Sequence, residues 1–152
     1  ILLTFAFLPT LGTAFTATGA IDWSVLMIAL PVGLITDGIL HSNNTRDMVT
    51  DKRAEIKTMA MGLGKKISAF LYGFEVIFPF VWVGILSILG YMPVGTVIIF
   101  LTLPIAIGCA KTMKNSVTGG QALIADLDVR TANLQLMFST LLTISLIISR
   151  FL

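Results

Sequence analysis

Residues His41–Asp51 read HSNNTRDMVTD, with two asparagines, an arginine and two carboxylates at the end of an apolar run long enough to cross a membrane. Asp47 and Asp51 are four residues apart. On a helix that spacing puts both on one face, about one turn apart. Asn44 and Asn43 stand three and four residues before Asp47, so an amide oxygen is able to join the same face. Two carboxylates so placed suit a hard cation such as Mg²⁺, which takes oxygen ligands and shares them with phosphate oxygens. The plainer alternative is a helix end whose acids only pair with Arg46, Lys52 and Arg53.

Around this stretch the chain is strongly apolar. Of 152 residues, 56% are hydrophobic and only 12% are charged. A soluble domain carries about twice that charged fraction. The fold class expected is therefore all-α membrane, a multi-span helical bundle. The net charge of +2 is too small to argue for nucleic acid. The one cysteine, Cys109, excludes an internal disulfide and a Cys-based metal site, and His41 alone makes no His-rich site. The chain opens on Ile inside an apolar run and is read as a piece of a longer protein, with no basic region of a signal peptide ahead of that run.

A span needs about 20 apolar residues. Five are expected, at about 1–20, 23–40, 67–89, 94–109 and 131–148. Pro9 and Gly12 suggest a kink or close packing in the first, and Trp23 sits where an interfacial aromatic belongs. Residues 41–66 and 111–130 are expected as long polar connections, and 19–22 and 90–93 as short turns. The two long connections hold nine of the ten basic residues, and the short turns none. Positive charge accumulates on the cytosolic side, so both long connections are expected there.

HSNNTRDMVTDKRAEIKT followed by MAMGLG resembles the second aspartate-rich motif of the UbiA prenyltransferase superfamily. The NNxRDxxxD form is most similar to the branch of 1,4-dihydroxy-2-naphthoate polyprenyltransferases and vitamin K2 (menaquinone) synthases. The resemblance runs from about Leu30 to Leu152 and includes RTANLQLMFSTLL. It implies one UbiA-type transmembrane domain, of which residues 1–152 are the C-terminal part, with five of an expected nine spans and only the second of two aspartate-rich motifs. It implies an Mg²⁺-dependent transfer of a polyprenyl chain from its diphosphate to an aromatic naphthoate or naphthoquinol acceptor. This piece alone is expected to be inactive. The membrane would be a prokaryotic plasma membrane or a eukaryotic ER/Golgi-type membrane, with lipid as a surrounding partner.

Under that resemblance Asp47 and Asp51 are expected to hold Mg²⁺, with Asn43 and Asn44 as supporting ligands or orienting groups. Arg46, Lys52, Arg53 and Lys57 are expected to bind the diphosphate, Arg by a bidentate fork and Lys as a point charge; ordinary positive-inside topology explains the same residues. The family usually has Gly where Glu55 stands, which puts the local turn and charge in question. Asp37 lies inside a span, where an acid is expensive and functional by default. It is read as a catalytic residue facing the cavity, pairing with His41 or touching the aromatic substrate; the plainer alternative is a hydrogen bond to a neighbouring helix. Glu75 is read as a carboxylate near the interface, reaching water or a lysine. The aromatics Phe70, Tyr72, Phe74, Phe78, Phe80 and Trp82 are read as mostly lipid-facing, with a prenyl-chain groove as the alternative for some, and Asp126, Asp128 and Arg130 as solvated loop charge rather than a cytosolic lid. Rival functions are another UbiA-type reaction (on 4-hydroxybenzoate, haem or a chlorophyll precursor), a transporter using Asp37 and Glu75, or an inactive scaffold.

Overall fold

A computed structural model describes residues 1–151. Those residues form helices joined by short turns, with no strand among them. In chain order the helices are α1 (Leu2–Thr18), α2 (Val25–Arg46), α3 (Met48–Arg53), α4 (Met59–Ile88), α5 (Val94–Gly119) and α6 (Leu127–Ser149). α2, α4, α5 and α6 are long and apolar enough to cross a membrane, which makes the protein a multi-span helical bundle. α1 is apolar but shorter than these. Its first turns are π-wound from Leu2 to Phe7, and α winding begins just ahead of Pro9. It stops at Gly19, whose φ of 73° ends a helix at no steric cost.

The helices outrun the apolar runs that announce them. α2 continues through His41 to Arg46, and α5 continues from the apolar run through Lys111 and Lys114 to Gly119. The connections expected at 41–66 and 111–130 are thus mostly helix. What remains is α3, a short link to α4, and a 3₁₀ turn at Gln121–Ile124. α4 starts early, at Met59, because the Thr58 side chain accepts a hydrogen bond from the Met61 backbone N–H. It bends at Gly64, where φ 75° and ψ 162° leave helical space. Glycine reaches that conformation without the penalty a Cβ would bring. α5 opens as 3₁₀ helix, Val94–Thr102, and turns α-helical at Leu103, next to Pro104.

α2 packs on α4 and α6, and α4 on α5. Small residues allow the close approaches. A Cβ on Gly38 of α2 would stand 3.3 Å from Val76 Cγ1 and 3.6 Å from Thr131 Cγ2, so all three helices meet there. A Cβ on Gly33 would fall 2.5 Å from Leu2 Cδ1, inside contact distance, so that glycine seats α1. Phe80 centres the core, edge-on to Phe138 (5.3 Å between centroids) and Phe100 (5.8 Å). Trp82 Nε1 donates to the Met27 carbonyl at 2.9 Å, which pins α4 to α2.

The short link after α3 contains the one non-glycine residue with positive φ among the described residues, Glu55 at 59°. The Ile56 N–H reaches back to the Asp51 carbonyl at 2.9 Å across it, a helix-ending turn that calls for the left-handed conformation. Glu55 therefore adopts the conformation for which a glycine is suited. A left-handed non-glycine residue costs roughly 1–2 kcal/mol, and glycine's greater freedom when unfolded gives back about 0.4–1 kcal/mol of that. Glu55→Gly should therefore stabilise the protein by up to about 1.6 kcal/mol. Thermal unfolding in detergent measures this; a lower midpoint for the glycine variant would mean that the Glu55 side chain contributes more than its backbone strain costs.

Candidate functional site

Arg46, the last residue of α2, organises the motif. Its Nε donates to Asp47 Oδ1 at 2.9 Å and its Nη2 to Asp47 Oδ2 at 3.0 Å. Nη2 also donates to the Asn43 side-chain oxygen. Nη1 donates to Asp128 Oδ2 at 2.6 Å and to the Ala125 carbonyl at 3.2 Å. Gln121 adds a parallel tie, donating from Nε2 to the Thr45 carbonyl at 3.2 Å. The end of α2 is thereby fixed to the start of α6. Asp128 is not solvated loop charge but an ion-pair partner, and Arg130 likewise turns inward to donate to Thr112 Oγ1 at 3.2 Å.

Asp47 sits at a joint. Its φ of −92° and ψ of 6° break the helix between α2 and α3. The Asp51 N–H still bonds to the Asp47 carbonyl at 2.8 Å, so the two acids remain one turn apart although no single regular helix carries both. Their states differ. The bonds from Arg46 hold the Asp47 carboxyl below the usual range. Asp51 is half-buried and makes no ion pair among the described residues. The pairing with Arg46 that the plainer alternative names is found at Asp47: a neighbour one residue away reaches it because the helix breaks there. Asn44 is half-buried with no side-chain hydrogen bond among the described residues, and Lys52, Arg53 and Lys57 are exposed on α3 and the link that follows.

Deeper in the bundle, His41 Nδ1 lies 2.9 Å and 3.0 Å from the two carboxylate oxygens of Glu75. Both residues are buried. This corrects two readings: Glu75 is buried against His41 rather than set at the interface or on a lysine, and the partner of His41 is Glu75 rather than Asp37. α4 turns Glu75 inward because Tyr72, Val76, Pro79 and Phe80 share its face and are buried with it. Beside the pair, Tyr72 Oη and Thr131 Oγ1 are 2.6 Å apart, and the Tyr72 ring stands edge-on to His41. His41 Nε2 is buried without a partner among the described residues. Asp37 lies one turn before His41, half-buried and without a hydrogen bond among the described residues. Of the α4 aromatics, Tyr72 and Phe80 are core, Phe78 and Trp82 half-buried, and Phe70 and Phe74 exposed, so fewer face lipid than expected. Glu75, Asp128 and Gln121 were not legible as site residues because no local spacing ties them to the motif.

The donor set at Asp47, Asp51, Asn43 and Asn44 is all oxygen, which suits Mg²⁺. Among the described residues no three acidic, histidine or cysteine side chains converge. That count fits an ion that keeps most of its shell as water and substrate phosphate. Among the described residues the side chains of Asp51 and Asn44 have no hydrogen-bond partner, whereas Asp47 and Asn43 are held by Arg46.

The model of the UbiA prenyltransferase family matches residues 1–123. The UbiA prenyltransferase domain-containing protein 1 of Homo sapiens is 30% identical over 149 residues, covering 98% of this chain and 42% of the relative. The Danio rerio protein of that name is 37% identical over 106 residues (70% of this chain, 31% of the relative). The Drosophila melanogaster homolog is 40% identical over 80 residues, 53% of this chain and 22% of its own length. The chain thus spans less than half the length of the curated relatives it matches, and it belongs to the UbiA prenyltransferase family.

Proposed function

We propose that this chain is the C-terminal part of an integral-membrane aromatic prenyltransferase, which moves a polyprenyl chain from its diphosphate to a naphthoquinol-type acceptor in menaquinone synthesis. The observation that carries the reading is the pair of oxygen donors left open at one end of the bundle, Asp51 and Asn44, beside an arginine fork and three exposed cations. Family membership supports transfer of a prenyl group, and the NNxRDxxxD string supports the naphthoate branch.

In this reaction the allylic C–O bond of the prenyl diphosphate breaks, a ring carbon of the acceptor attacks the allylic carbon, and the ring proton is lost. The barrier is governed by negative charge growing on the departing diphosphate. Asp47 and Asp51, with Asn43 and Asn44 in support, would hold Mg²⁺, which would supply charge neutralisation there when bound. Arg46 has a fork matched to phosphate and shifts part of it from Asp47 to a phosphate oxygen. Lys52, Arg53 and Lys57 attract the anion to the mouth. Asp37 accepts a hydrogen bond from the acceptor hydroxyl and orients the ring. The left-handed turn at Glu55 keeps the backbone path after Asp51, so the exchange of the family glycine costs strain without removing the turn.

The defining assay is product formation from a prenyl diphosphate and 1,4-dihydroxy-2-naphthoate or a menadiol-type acceptor, with the full-length protein. Asp37→Asn should lower turnover roughly 10–100-fold, the scale of a misplaced reactant, with the protein folded and in the membrane. Unchanged activity with lower thermal stability would make Asp37 a packing residue. Both basic ends are proposed to face the cytosol. Cysteines placed beside Lys52 and Lys114 should react only with reagent on the cytosolic side, and labelling from the outer face would reverse the topology.

A further inference from the structure

A groove of about 1070 Å³ runs between α4 and α5, away from the motif. None of Asp37, Asn43, Asn44, Arg46, Asp47 or Asp51 lines it. Its walls are hydrocarbon and aromatic, with Phe70, Phe74 and Phe78 along α4 and Ile107 opposite on α5. Phe74 and Phe78 stack at 4.7 Å, giving that wall a flat, continuous surface. From Lys66 to Val81 the α4 wall extends about 22 Å at 1.5 Å per residue. That exceeds one leaflet, about 15 Å of a hydrocarbon core near 30 Å.

The groove also carries positive charge: Lys66, the first residue of its α4 wall, and Lys111 and Lys114 on its α5 wall line it. Lys111 and Lys114 are three apart and share a face of α5, while Lys66 stands two residues after the bend at Gly64. All three are exposed, none forms an ion pair among the described residues, and no carboxylate lines the groove. The site therefore presents three cations on a long apolar slot.

We infer that this groove is a binding site for an anionic phospholipid, its phosphate on Lys66, Lys111 and Lys114 and an acyl chain along Phe70, Phe74 and Phe78. Charge and length select this occupant. A protein helix laid in the slot would cover three unpaired lysines and would need carboxylates of its own at that level. A zwitterionic lipid leaves the cations only partly compensated. An anionic lipid fills both parts at once, and such lipids are concentrated in the cytosolic leaflet, where basic segments are drawn. The inference does not depend on the prenyl-transfer reading.

The test uses the full-length protein in phosphatidylcholine vesicles doped with phosphatidylserine that carries a photoactivatable acyl chain. Cross-links should map to α4 around Phe70–Phe78 and to α5 around Ile107. The triple variant Lys66→Gln/Lys111→Gln/Lys114→Gln should lose this labelling roughly tenfold or more. Labelling of the other lipid-facing helices should stay constant, as should helical content by circular dichroism. Equal labelling by a phosphatidylcholine probe overturns the inference, as does a triple variant that labels normally. A groove protected from both probes means that protein covers it, and displacement of the lipid by prenyl diphosphate makes it a substrate subsite. Either result also overturns the inference.

Discussion

Asp51→Ala should abolish prenyl transfer by the full-length protein, at a cost of at least about 3 kcal/mol in barrier, or roughly 100-fold in turnover. Its melting temperature should stay unchanged, because Asp51 makes no ion pair among the described residues that folding would lose. Asp47→Ala should lose activity to a similar degree and also some stability. Asp47 is the acid that Arg46 grips through two nitrogens, at 2.9 Å and 3.0 Å. Because its side chain is 37% exposed, that pair is worth only about 0.2–1 kcal/mol. The two acids thus separate in what their loss does, one affecting reaction alone and the other reaction with fold. Chelation by EDTA should reproduce the Asp51→Ala result in the unmutated protein, and added Mg²⁺ should reverse it. Product formation from prenyl diphosphate and a naphthoquinol-type acceptor is the measurement. A fully active Asp51→Ala variant, or turnover that survives chelation, would sink the metal assignment.

The asymmetry between Asp47 and Asp51 marks where sequence reading stopped. Spacing alone placed the acids one turn apart, and the backbone bond between them agrees. It did not show the break at Asp47, since no proline or glycine stands there to announce it. Hydropathy found the four long helices, but it reports where the chain is apolar rather than where the helix ends. α2 and α5 run on as helix into polar sequence because a backbone ladder needs no apolar side chains once a span has nucleated it. The Glu55 position was legible in a different way. A glycine expected by family resemblance flagged a special backbone conformation, and the φ of 59° is that conformation. The contacts that escaped reading all join distant parts of the chain: Arg46 to Asp128, Gln121 to Thr45, His41 to Glu75. Periodicity shows which side of a helix is apolar, but not which residue of another helix meets it.

The His41–Glu75 pair carries the largest expected effect on stability. Both groups are buried, at 2% and 6% exposure, and His41 Nδ1 meets the Glu75 carboxylate at 2.9 Å. The pair is expensive to assemble in a low-dielectric bundle, so removing one member leaves a buried polar group without its partner. Glu75→Leu alone, or His41→Leu alone, should therefore destabilise the protein by about 3 kcal/mol. Removing both takes away the desolvation cost along with the interaction, so the double leucine variant should recover most of the loss. Glu75→Gln keeps one acceptor oxygen for Nδ1 and should fall between the wild type and Glu75→Leu. Gly38 sharpens the expectation, because a Cβ there would stand 3.7 Å from Glu75 Oε2: the carboxylate is packed against the α2 backbone and has little room to turn toward water. Denaturant or thermal unfolding of the four variants in one detergent gives the double-mutant cycle. Additive single losses with no recovery in the double variant would mean that the two side chains contribute by packing volume alone, and the pairing energy assigned here would be wrong.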